Sequence, residues 1–487
     1  MIPAVQIPEL KDIRYPGLRA SIKGGDSSLR FAEFIGKVKP SYQWSEMARR
    51  AVDVLQRVDD GLIQRVMMFM PPRHGKSELV SRLFSAYCLY RDPGAWVGIS
   101  SYSADLAFTL SRAARDNYLA AGGEIREDAG AVKHWETPEG GGVWAAGVGG
   151  PITGKGIGNP ATKSGGVAII DDPLKNHIEA FSDTIRERQK EWWRSTLYTR
   201  LEENSPVVVL LTRWHEDDLA GWLLANESEE AEHWHVVSLE AIKEDSPPTI
   251  PDTCTLEPDW RDAGEPLCPE RVGLNRLLKL RGAVGSYFWG ALYQQRPSPL
   301  AGNFFKRGDW QRFKKAPDMF EYIVLSFDCA FKETDSSDYV VGLAIGKLGA
   351  DFYILDCVRD RTDINGTLQM VGDLAAKWPK AKAKLVEDKA NGSAVIDLLK
   401  RKIPGLIPVN PEGGKVARAA AVSPYVESHN VWLPESAPWV SDFIGECAAF
   451  PNRTNDDQVD AFTQGVNWLE TNVMRYGPAR RSGLKLY

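Results

Sequence analysis

The chain lacks several features that mark particular classes of protein. Its 487 residues contain no long apolar segment, and the longest purely apolar runs, such as Val207–Leu211, are far too short to cross a bilayer. Its 6 cysteines include no C-x-x-C pair, which argues against a zinc knuckle or a disulfide framework and favours a reducing cytoplasm. The N-terminal residues lack a basic region followed by an apolar one, so we expect no secretory signal and no membrane partner.

A net positive charge is also absent, because the 65 Asp and Glu residues outnumber the 59 Lys and Arg residues and the formal net charge is −6. The field of the whole molecule therefore does not indicate a nucleic-acid partner. Two local patches are basic: "KRGDWQRFKK" at residues 306–315 and the tail "RYGPARRSGLKLY" at residues 475–487. Both interleave cations with aromatic residues, a pattern that suits contact with nucleic acid and equally suits a solvated surface.

The length and the hydrophobic pattern predict two or three domains of α/β type. Up to about residue 245, strand-like apolar segments alternate with helix-compatible ones, which is typical of a parallel sheet. A stretch rich in proline and acidic residues follows, and a second set of strand-like segments opens at residue 321. The predicted division begins with an N-terminal extension (1–42), a first α/β domain (43–245) and a linker or subdomain (246–317). A second α/β domain (318–475) and a basic tail with disordered character (476–487) follow.

A phosphate-binding loop is predicted by "VMMFMPPRHGKSELV", in which an apolar strand leads through a loop into a helix-compatible run. Backbone N–H groups at the start of a helix can cradle phosphate oxygens. Lys76 can reach the outer phosphates, and the hydroxyl of Ser77 can bind Mg²⁺. Met70 stands where the first glycine of such a loop is expected, so the tripeptide Gly-Lys-Ser could also occur here by chance.

A second acidic site is needed to hold the metal and to orient water toward the γ-phosphate, and "GGVAIIDDP" supplies it. A buried strand ends at Asp171, placed for the metal, and Asp172, placed to polarise the attacking water. The same pair would also suit a helix cap. A further strand ends at Thr212-Arg213, where polar groups could sense the γ-phosphate. We assign no zinc to His215, since a lone histidine at a strand end is more often structural.

These segments, in their order along the chain, resemble the ATPase half of a large terminase subunit of tailed bacteriophages. The resemblance is carried by "PPRHGKSE", "SSYSADLA", "GGPITGKG", "IIDDP" and "LTRWHEDDLAG". In that family the phosphate loop has a divergent first position and an internal arginine, which here is Arg73. The resemblance implies that nucleotide contacts come from the loop, from an upstream glutamine in "SYQW" and from the strand-end acid: Gln43, Arg73, His74, Gly75, Lys76, Ser77 and Asp171.

The resemblance also implies roles in catalysis and coupling. Thr212 matches the motif that couples hydrolysis to movement. Lys155 stands where the family commonly has an arginine that acts on the nucleotide of a neighbouring subunit. Because lysine lacks the planar fork of arginine, Arg194 or Arg200 could serve instead.

A nuclease site is predicted in the second domain by three acidic clusters on distant segments. Two-metal phosphodiester hydrolysis needs carboxylates that bridge and flank Mg²⁺ or Mn²⁺ ions about 3.5–4 Å apart. The clusters lie in "VLSFDCAF", "LVEDKANG" and "NDDQVDAF", and the candidate ligands are Asp328, Glu387, Asp388, Asp456, Asp457 and Asp460. These segments resemble the RNase H-like nuclease half of the same terminases. We favour Glu387 over Asp388 as the second ligand.

The expected function is therefore ATP-driven translocation of double-stranded DNA into procapsids, together with metal-dependent endonucleolytic cleavage of concatemeric DNA. A helicase-nuclease of DNA repair and a non-enzymatic ATP-gated DNA clamp are the alternatives. The expected cofactors are ATP with Mg²⁺ at one site and two Mg²⁺ or Mn²⁺ ions at the other. The resemblance implies as partners the portal protein, the small terminase subunit and further copies in a pentameric ring. The expected location is the host cytoplasm, transiently on the procapsid and not in the mature virion.

Overall fold

The structure is a computed structural model that describes most of the chain. The described residues are 29–150, 152, 156–163, 165–226, 231–297, 304–329, 339–388, 391–452 and 456–476. They form two sheets flanked by helices, as the predicted fold class requires: a P-loop-type parallel sheet followed by an RNase H-like α/β domain. No helix in these ranges is long and apolar enough to span a membrane. The predicted basic tail lies almost wholly outside them.

The first sheet has nine strands in the order β3-β4-β5-β2-β6-β7-β1-β8-β9. All neighbouring strands from β5 to β9 are parallel, whereas β3, β4 and β5 form an antiparallel edge. The strands are β1 Arg65–Phe69, β2 Trp96–Ser101, β3 Gly130–Ala131, β4 His134–Glu136, β5 Gly142–Gly147, β6 Val167–Asp171, β7 Val207–Leu211, β8 His235–Ser238 and β9 Thr255–Leu256.

Helices cover both faces of this sheet. The side chains of β1 show why, because Val66 and Met68 enter one hydrophobic core while Met67 and Phe69 enter the other. The helices are α1 Phe31–Val38, α2 Glu46–Asp59, α3 Ser85–Arg91, α4 Ala104–Ala120, α5 His177–Ala180, α6 Asp183–Trp192 and α7 Leu219–Leu224. A π-helical segment, Glu78–Phe84, precedes α3, while Trp193–Leu197 and Tyr198–Arg200 prolong α6.

The predicted boundary at residue 245 is too early for this sheet. Strand β9 pairs in parallel with β8, and Leu267 and Cys268 are buried, 3% exposed each. Because this stretch is rich in proline and acidic residues, its sequence did not predict the short edge strand β9 or the buried loop that follows it. A comparable shift occurs at residue 317, because the strand at Gln311–Phe313 already belongs to the second sheet.

The second sheet has seven strands in the order β10-β16-β13-β12-β11-β14-β15. Strands β11, β12 and β13 form an antiparallel meander, after which a helix leads to β14, parallel to β11. The predicted strand-strand-strand-helix-strand order is confirmed. The strands are β10 Gln311–Phe313, β11 Tyr322–Cys329, β12 Val340–Leu348, β13 Asp351–Asp360, β14 Ala383–Glu387, β15 Leu406–Val409 and β16 Val431–Pro434.

A long helix joins the two sheets, and five more pack around the second. These are α8 Leu274–Phe288, α9 Ile364–Lys377, α10 Asn391–Leu399, α11 Lys415–Glu427, α12 Val440–Ala449 and α13 Asp457–Tyr476. Helix α8 breaks at Gly285, whose φ of 78° lies in the left-handed region, and a Cβ there would come within 2.9 Å of Pro424 on α11. Glu427 on α11 accepts hydrogen bonds of 2.7 Å each from the backbone N and hydroxyl of Ser286. Helix α8 therefore ends against the second domain.

The basic patch at residues 306–315 lies at the outer edge of the second sheet, in and before strand β10. Trp310 of this patch is buried, with its ring against Phe443 and Phe462. The pattern of cations between aromatics therefore does not present Trp310 for stacking on bases, because that ring completes the hydrophobic core. The cations Lys306, Arg307 and Arg312 remain exposed.

Candidate functional sites

The phosphate-loop segment follows β1 and turns sharply before the helical segment. Arg73 and Gly75 have φ angles of 63° and 91°, both in the left-handed region, where glycine is at ease and arginine is strained. His74 is buried, with Nδ1 2.9 Å from the carbonyl oxygen of Pro72. Met70 is 1% exposed and belongs to the core. The first position of the loop is therefore a core position here, which accounts for the missing glycine.

Lys76 joins the loop to the ends of the neighbouring strands. Its ammonium donates to Oδ1 of Asp172 at 2.8 Å and also to the hydroxyl of Thr212. The backbone N of Thr212 donates to the same Oδ1 at 2.9 Å. Asp172 itself has φ 44°, a strained angle that turns the chain after β6. Because β6 and β7 are parallel neighbours and β1 lies beside β7, three segments distant in sequence meet at one sheet edge.

Asp171 is buried beneath this group. Ser77 donates to its Oδ1 at 3.0 Å and Ser81 to its Oδ2 at 2.6 Å. Burial, together with the charge of Asp172, raises the pKa of Asp171 to about 6. Sequence reasoning missed Ser81, although its position four residues after Ser77 on a helical segment was a usable signal.

Gln43 and Arg271 come from segments outside the loop. Gln43 is exposed just before α2, beside Tyr42, whose pKa is raised to about 12 by burial with a contribution from Glu78. Arg271, which sequence reasoning missed, lies close enough that a Cβ on Gly75 would meet its Nη1 at 3.1 Å. No motif pointed to Arg271, because it comes from a loop almost 200 residues further along the chain.

The three candidates for action on the nucleotide of a neighbouring subunit are Lys155, Arg194 and Arg200. Lys155 lies outside the described residues. Arg194 is held over the ring of Trp222, 4.5 Å from its centroid, and lines an aromatic cavity of about 600 Å³ with Trp193, Tyr198 and Trp234. Arg200 is exposed at the end of the segment that prolongs α6.

The second site forms around Asp328 near the end of β11. This side chain is 9% exposed, and burial raises its pKa well above the usual range, with further contributions from the charges of Asp460, Asp457 and Glu387. Strand β14 brings Glu387 beside β11, and the first turn of α13 brings Asp457 and Asp460. The structure therefore collects carboxylates from all three predicted clusters.

Glu387 and Asp388 point to different neighbours. Glu387 belongs to the electrostatic surroundings of Asp328, whereas Asp388 accepts a hydrogen bond of 2.7 Å from Ser393 on α10. Consecutive residues at a strand end face opposite sides of a sheet. The choice of Glu387 over Asp388 as the second ligand stays a prediction.

Two basic residues of α11, both missed by sequence reasoning, pair with the acids of α13. Nζ of Lys415 lies 2.6 Å from Oδ1 of Asp456 and 2.6 Å from Oδ2 of Asp460. Arg418, which is buried, lies 2.5 Å from the other oxygen of Asp460. Both carboxylate oxygens of Asp460 therefore already have basic partners.

The donor set around Asp328 consists of groups that divalent cations bind. Carboxylate oxygens are the ligands that Mg²⁺ and Mn²⁺ prefer. The pKa of Asp328 is raised first by burial and further by neighbouring negative charges, and a cation would offset those charges. Within the described ranges, however, no three His, Cys, Asp or Glu side chains form a group that could hold a metal ion in this conformation. The chemistry of the residues thus fits such an ion, while the coordination geometry is not formed.

In this chain a P-loop-type parallel sheet, whose loop lysine donates to a carboxylate at a strand end, is joined to an RNase H-like domain. This combination defines a class of protein. Comparison with protein families agrees with this class. A profile described as "Terminase large subunit, T4likevirus-type, N-terminal" matches residues 67–266, and one described as "Terminase RNaseH-like domain" matches residues 325–468. The chain belongs to the large terminase subunits.

Solved structures show the same fold. The large terminase from a thermophilic bacteriophage is similar with a TM-score of 0.54 and 10% identity, over 88% of this chain and 100% of that chain. Complexes of that terminase with ADP and with ATP-gamma-S give TM-scores of 0.51 and 0.50 at 10% and 12% identity, each over 87% of this chain and 99% of that chain. No curated protein matches the sequence.

Proposed function

We propose that this chain is the motor that packages viral DNA, moving double-stranded DNA into procapsids with ATP and cutting concatemers with its own nuclease. The observation that supports this most directly is the presence of two separate acidic sites in one large terminase chain. One site has a loop lysine on Asp172, and the other has crowded carboxylates around Asp328. Nothing observed favours the helicase-nuclease or the non-enzymatic clamp.

In the first site, Lys76 holds the outer phosphates of ATP, and the adjacent loop amides cradle them. Ser77 and Asp171 would hold the Mg²⁺ that accompanies the nucleotide. Asp172 polarises the attacking water, and Thr212 responds to loss of the γ-phosphate through the hydrogen bonds that it shares with Lys76 and Asp172. The thermophilic phage terminase, which shares this fold, has been solved with ADP and with ATP-gamma-S.

In the second site, Asp328, Glu387 and Asp457 would hold divalent cations, with Asp388, Asp456 and Asp460 as flanking acids. Mg²⁺ or Mn²⁺ held by these residues would neutralise charge on the phosphodiester and supply a bound water of lowered pKa. The protein contributes buried carboxylates on two strands and one helix, and the partnership of Asp460 with Arg418 orients the first turn of α13.

The proposal extends to an assembly. Subunits form a pentameric ring on the portal protein, with the small terminase subunit supplying the DNA, and a basic side chain acts on the nucleotide of a neighbour. Lys155 is the first candidate for that side chain, followed by Arg194 and Arg200. The exposed cations at residues 306–315 are candidates for DNA contact.

A packaging assay tests the proposal. Procapsids bearing the portal are mixed with the protein, linear duplex DNA and ATP, and DNA protected from added DNase is measured. We expect protection with the wild type and with Asp328→Asn, and none with Lys76→Ala. ATP turnover that neither duplex DNA nor portal stimulates, together with no protected DNA, would contradict the motor.

A further inference from the structure

The guanidinium of Arg271 lies next to Gly75 of the phosphate loop. A methyl group on Gly75 would lie 3.1 Å from Nη1 of Arg271, which places the guanidinium directly above that backbone. The charge of Arg271 also affects the pKa values of two further side chains near the loop. Burial lowers the pKa of His74 and Arg271 lowers it further, while burial raises the pKa of Tyr42 to about 12 and Arg271 opposes that rise. Arg271 is therefore close to His74 and Gly75 of the loop and to Tyr42, which precedes α2.

The position above Gly75 is where an anion would approach. A glycine with φ of 91° before the loop lysine leaves the backbone without a side chain on this face, so that phosphate oxygens can reach the N–H groups. Guanidinium groups bind phosphate through two parallel N–H donors. Arg271 is thus a planar phosphate-binding group on the face of the loop that glycine keeps clear.

The surrounding charges leave Arg271 available for an anion. Glu78, the carboxylate that shares the surroundings of Tyr42, forms its ion pairs with Lys39 and with Arg82. Arg271 is exposed, and its backbone N donates to the carbonyl oxygen of Cys268 at 3.0 Å, which fixes the loop that carries it. A fixed backbone with an exposed head group suits a residue that closes over a ligand.

We propose that Arg271 binds the phosphates of the nucleotide from within the same chain. This inference deepens the proposed ATPase function and rests on it. Arg271 lies beyond residue 266, where the match to the N-terminal family profile ends, so the family match does not assign it. It comes three residues before α8, the helix whose far end contacts α11 of the nuclease-like domain at Ser286 and Glu427. Binding of a phosphate by Arg271 would therefore be coupled to the position of the helix that joins the two domains.

The test is equilibrium binding of ATPγS, inorganic tripolyphosphate and adenosine to the full chain, measured by calorimetry at protein concentrations where light scattering shows monomer. Arg271→Ala should raise the Kd of ATPγS and of tripolyphosphate about 10- to 100-fold, the range for a lost charge-assisted hydrogen bond. Arg271→Lys should lie between that variant and wild type. Arg281→Ala, which removes the same charge from an exposed position on α8, is the matched control and should bind as wild type does.

Other outcomes decide against the proposal. Wild-type or tighter binding of tripolyphosphate by Arg271→Ala would overturn it, as would weakened binding of adenosine alone, which would make Arg271 a contact of the base. Lys76→Ala separates this from the ATPase function. Weakened binding by Lys76→Ala beside unchanged binding by Arg271→Ala rejects only the role of Arg271, whereas unchanged binding by both rejects the nucleotide site itself.

Discussion

The two candidate sites differ in how their carboxylates are neutralised. In the first domain, Asp172 is paired with Lys76 from the adjacent loop, and Asp171 accepts from two serine hydroxyls. In the second domain, Asp328 is buried near the charges of Asp460, Asp457 and Glu387, and the bases Lys415 and Arg418 form ion pairs with Asp460.

This difference shows what each site needs. The first site is held together by protein donors in the described conformation, so it is organised before any ligand arrives. The second concentrates like charges in a buried position, which costs free energy that a bound cation would recover. We therefore expect the first site to be sensitive to loss of its lysine, and the second to be sensitive to metal.

The largest expected effect separates the two sites. Lys76→Ala should lower ATP turnover at least about 1,000-fold, because the outer phosphates lose their charged partner, while cleavage of plasmid DNA in Mn²⁺ continues. Turnover and nicking are measured on the same preparation, with Lys133→Ala, an exposed lysine of the same domain, as the control. Parallel loss of nuclease activity in a variant that circular dichroism shows to be folded would remove the distinction between the sites.

Asp328→Asn tests the metal dependence of the second site. We expect cleavage to fall about 100- to 1,000-fold and the Mn²⁺-induced rise in melting temperature to shrink, with little change in the metal-free melt. Binding to the folded state alone adds about 2.7 kcal/mol at a hundredfold excess of ligand over its Kd. Asp397→Asn, an exposed carboxylate paired with Lys400, is the control. Equal Mn²⁺ shifts and equal nicking in wild type and Asp328→Asn would make Asp328 an ordinary strand-end acid.

Asp172→Asn separates binding from hydrolysis in the first site. The amide keeps the shape of the side chain but cannot accept a proton from water, so ATP should still bind while turnover falls about 100-fold. Binding is measured with ATPγS, and turnover by phosphate release. Turnover close to that of wild type would mean that Asp172 only orients Lys76 and Thr212.

Lys155→Ala tests whether the first site is completed by a neighbour. Turnover per chain should rise with protein concentration or with added portal, and the substitution should reduce that rise about tenfold while nucleotide binding by the monomer stays unchanged. If turnover per chain is constant over a wide concentration range with portal present, Lys155 has no such role, and Arg194→Ala and Arg200→Ala are tested next.

The smallest effect concerns the edge of the first sheet. Glu257 follows β9 and accepts from Nε2 of His235 at 2.5 Å and Nη2 of Arg57 at 2.7 Å, and these bonds lower its pKa to about 2. A lowered pKa means that the stabilisation is present above the usual glutamate pKa and is lost as pH falls toward 2. Glu257→Gln should therefore reduce the free energy of unfolding by about 1 kcal/mol at pH 7, a value discounted for solvent screening.

Urea denaturation of Glu257→Gln and wild type between pH 7 and pH 3 measures this difference, which should narrow below about pH 4.5 as Glu257 becomes protonated in the unfolded chain. A difference that stays constant with pH would show that packing, rather than charge, joins β9 to the domain.

Much of the fold could be read from local patterns. The apolar runs at β1, β2, β6 and β7 follow from hydrophobic spacing along the chain. The edge strands β9 and β10 were missed, because two or three residues carry no periodic signal and their flanks are rich in proline or charge.

By itself, the sequence determined the parallel sheet, the loop lysine and the acids at the ends of β6, β11 and β14, since each depends on residues adjacent along the chain. Tertiary structure alone decided which distant groups meet. Arg271 comes to lie over Gly75, and Lys415 and Arg418 pair with Asp460 of α13. The physical reason is that these contacts depend on loop paths and helix packing between segments far apart in the chain, for which no local spacing rule exists.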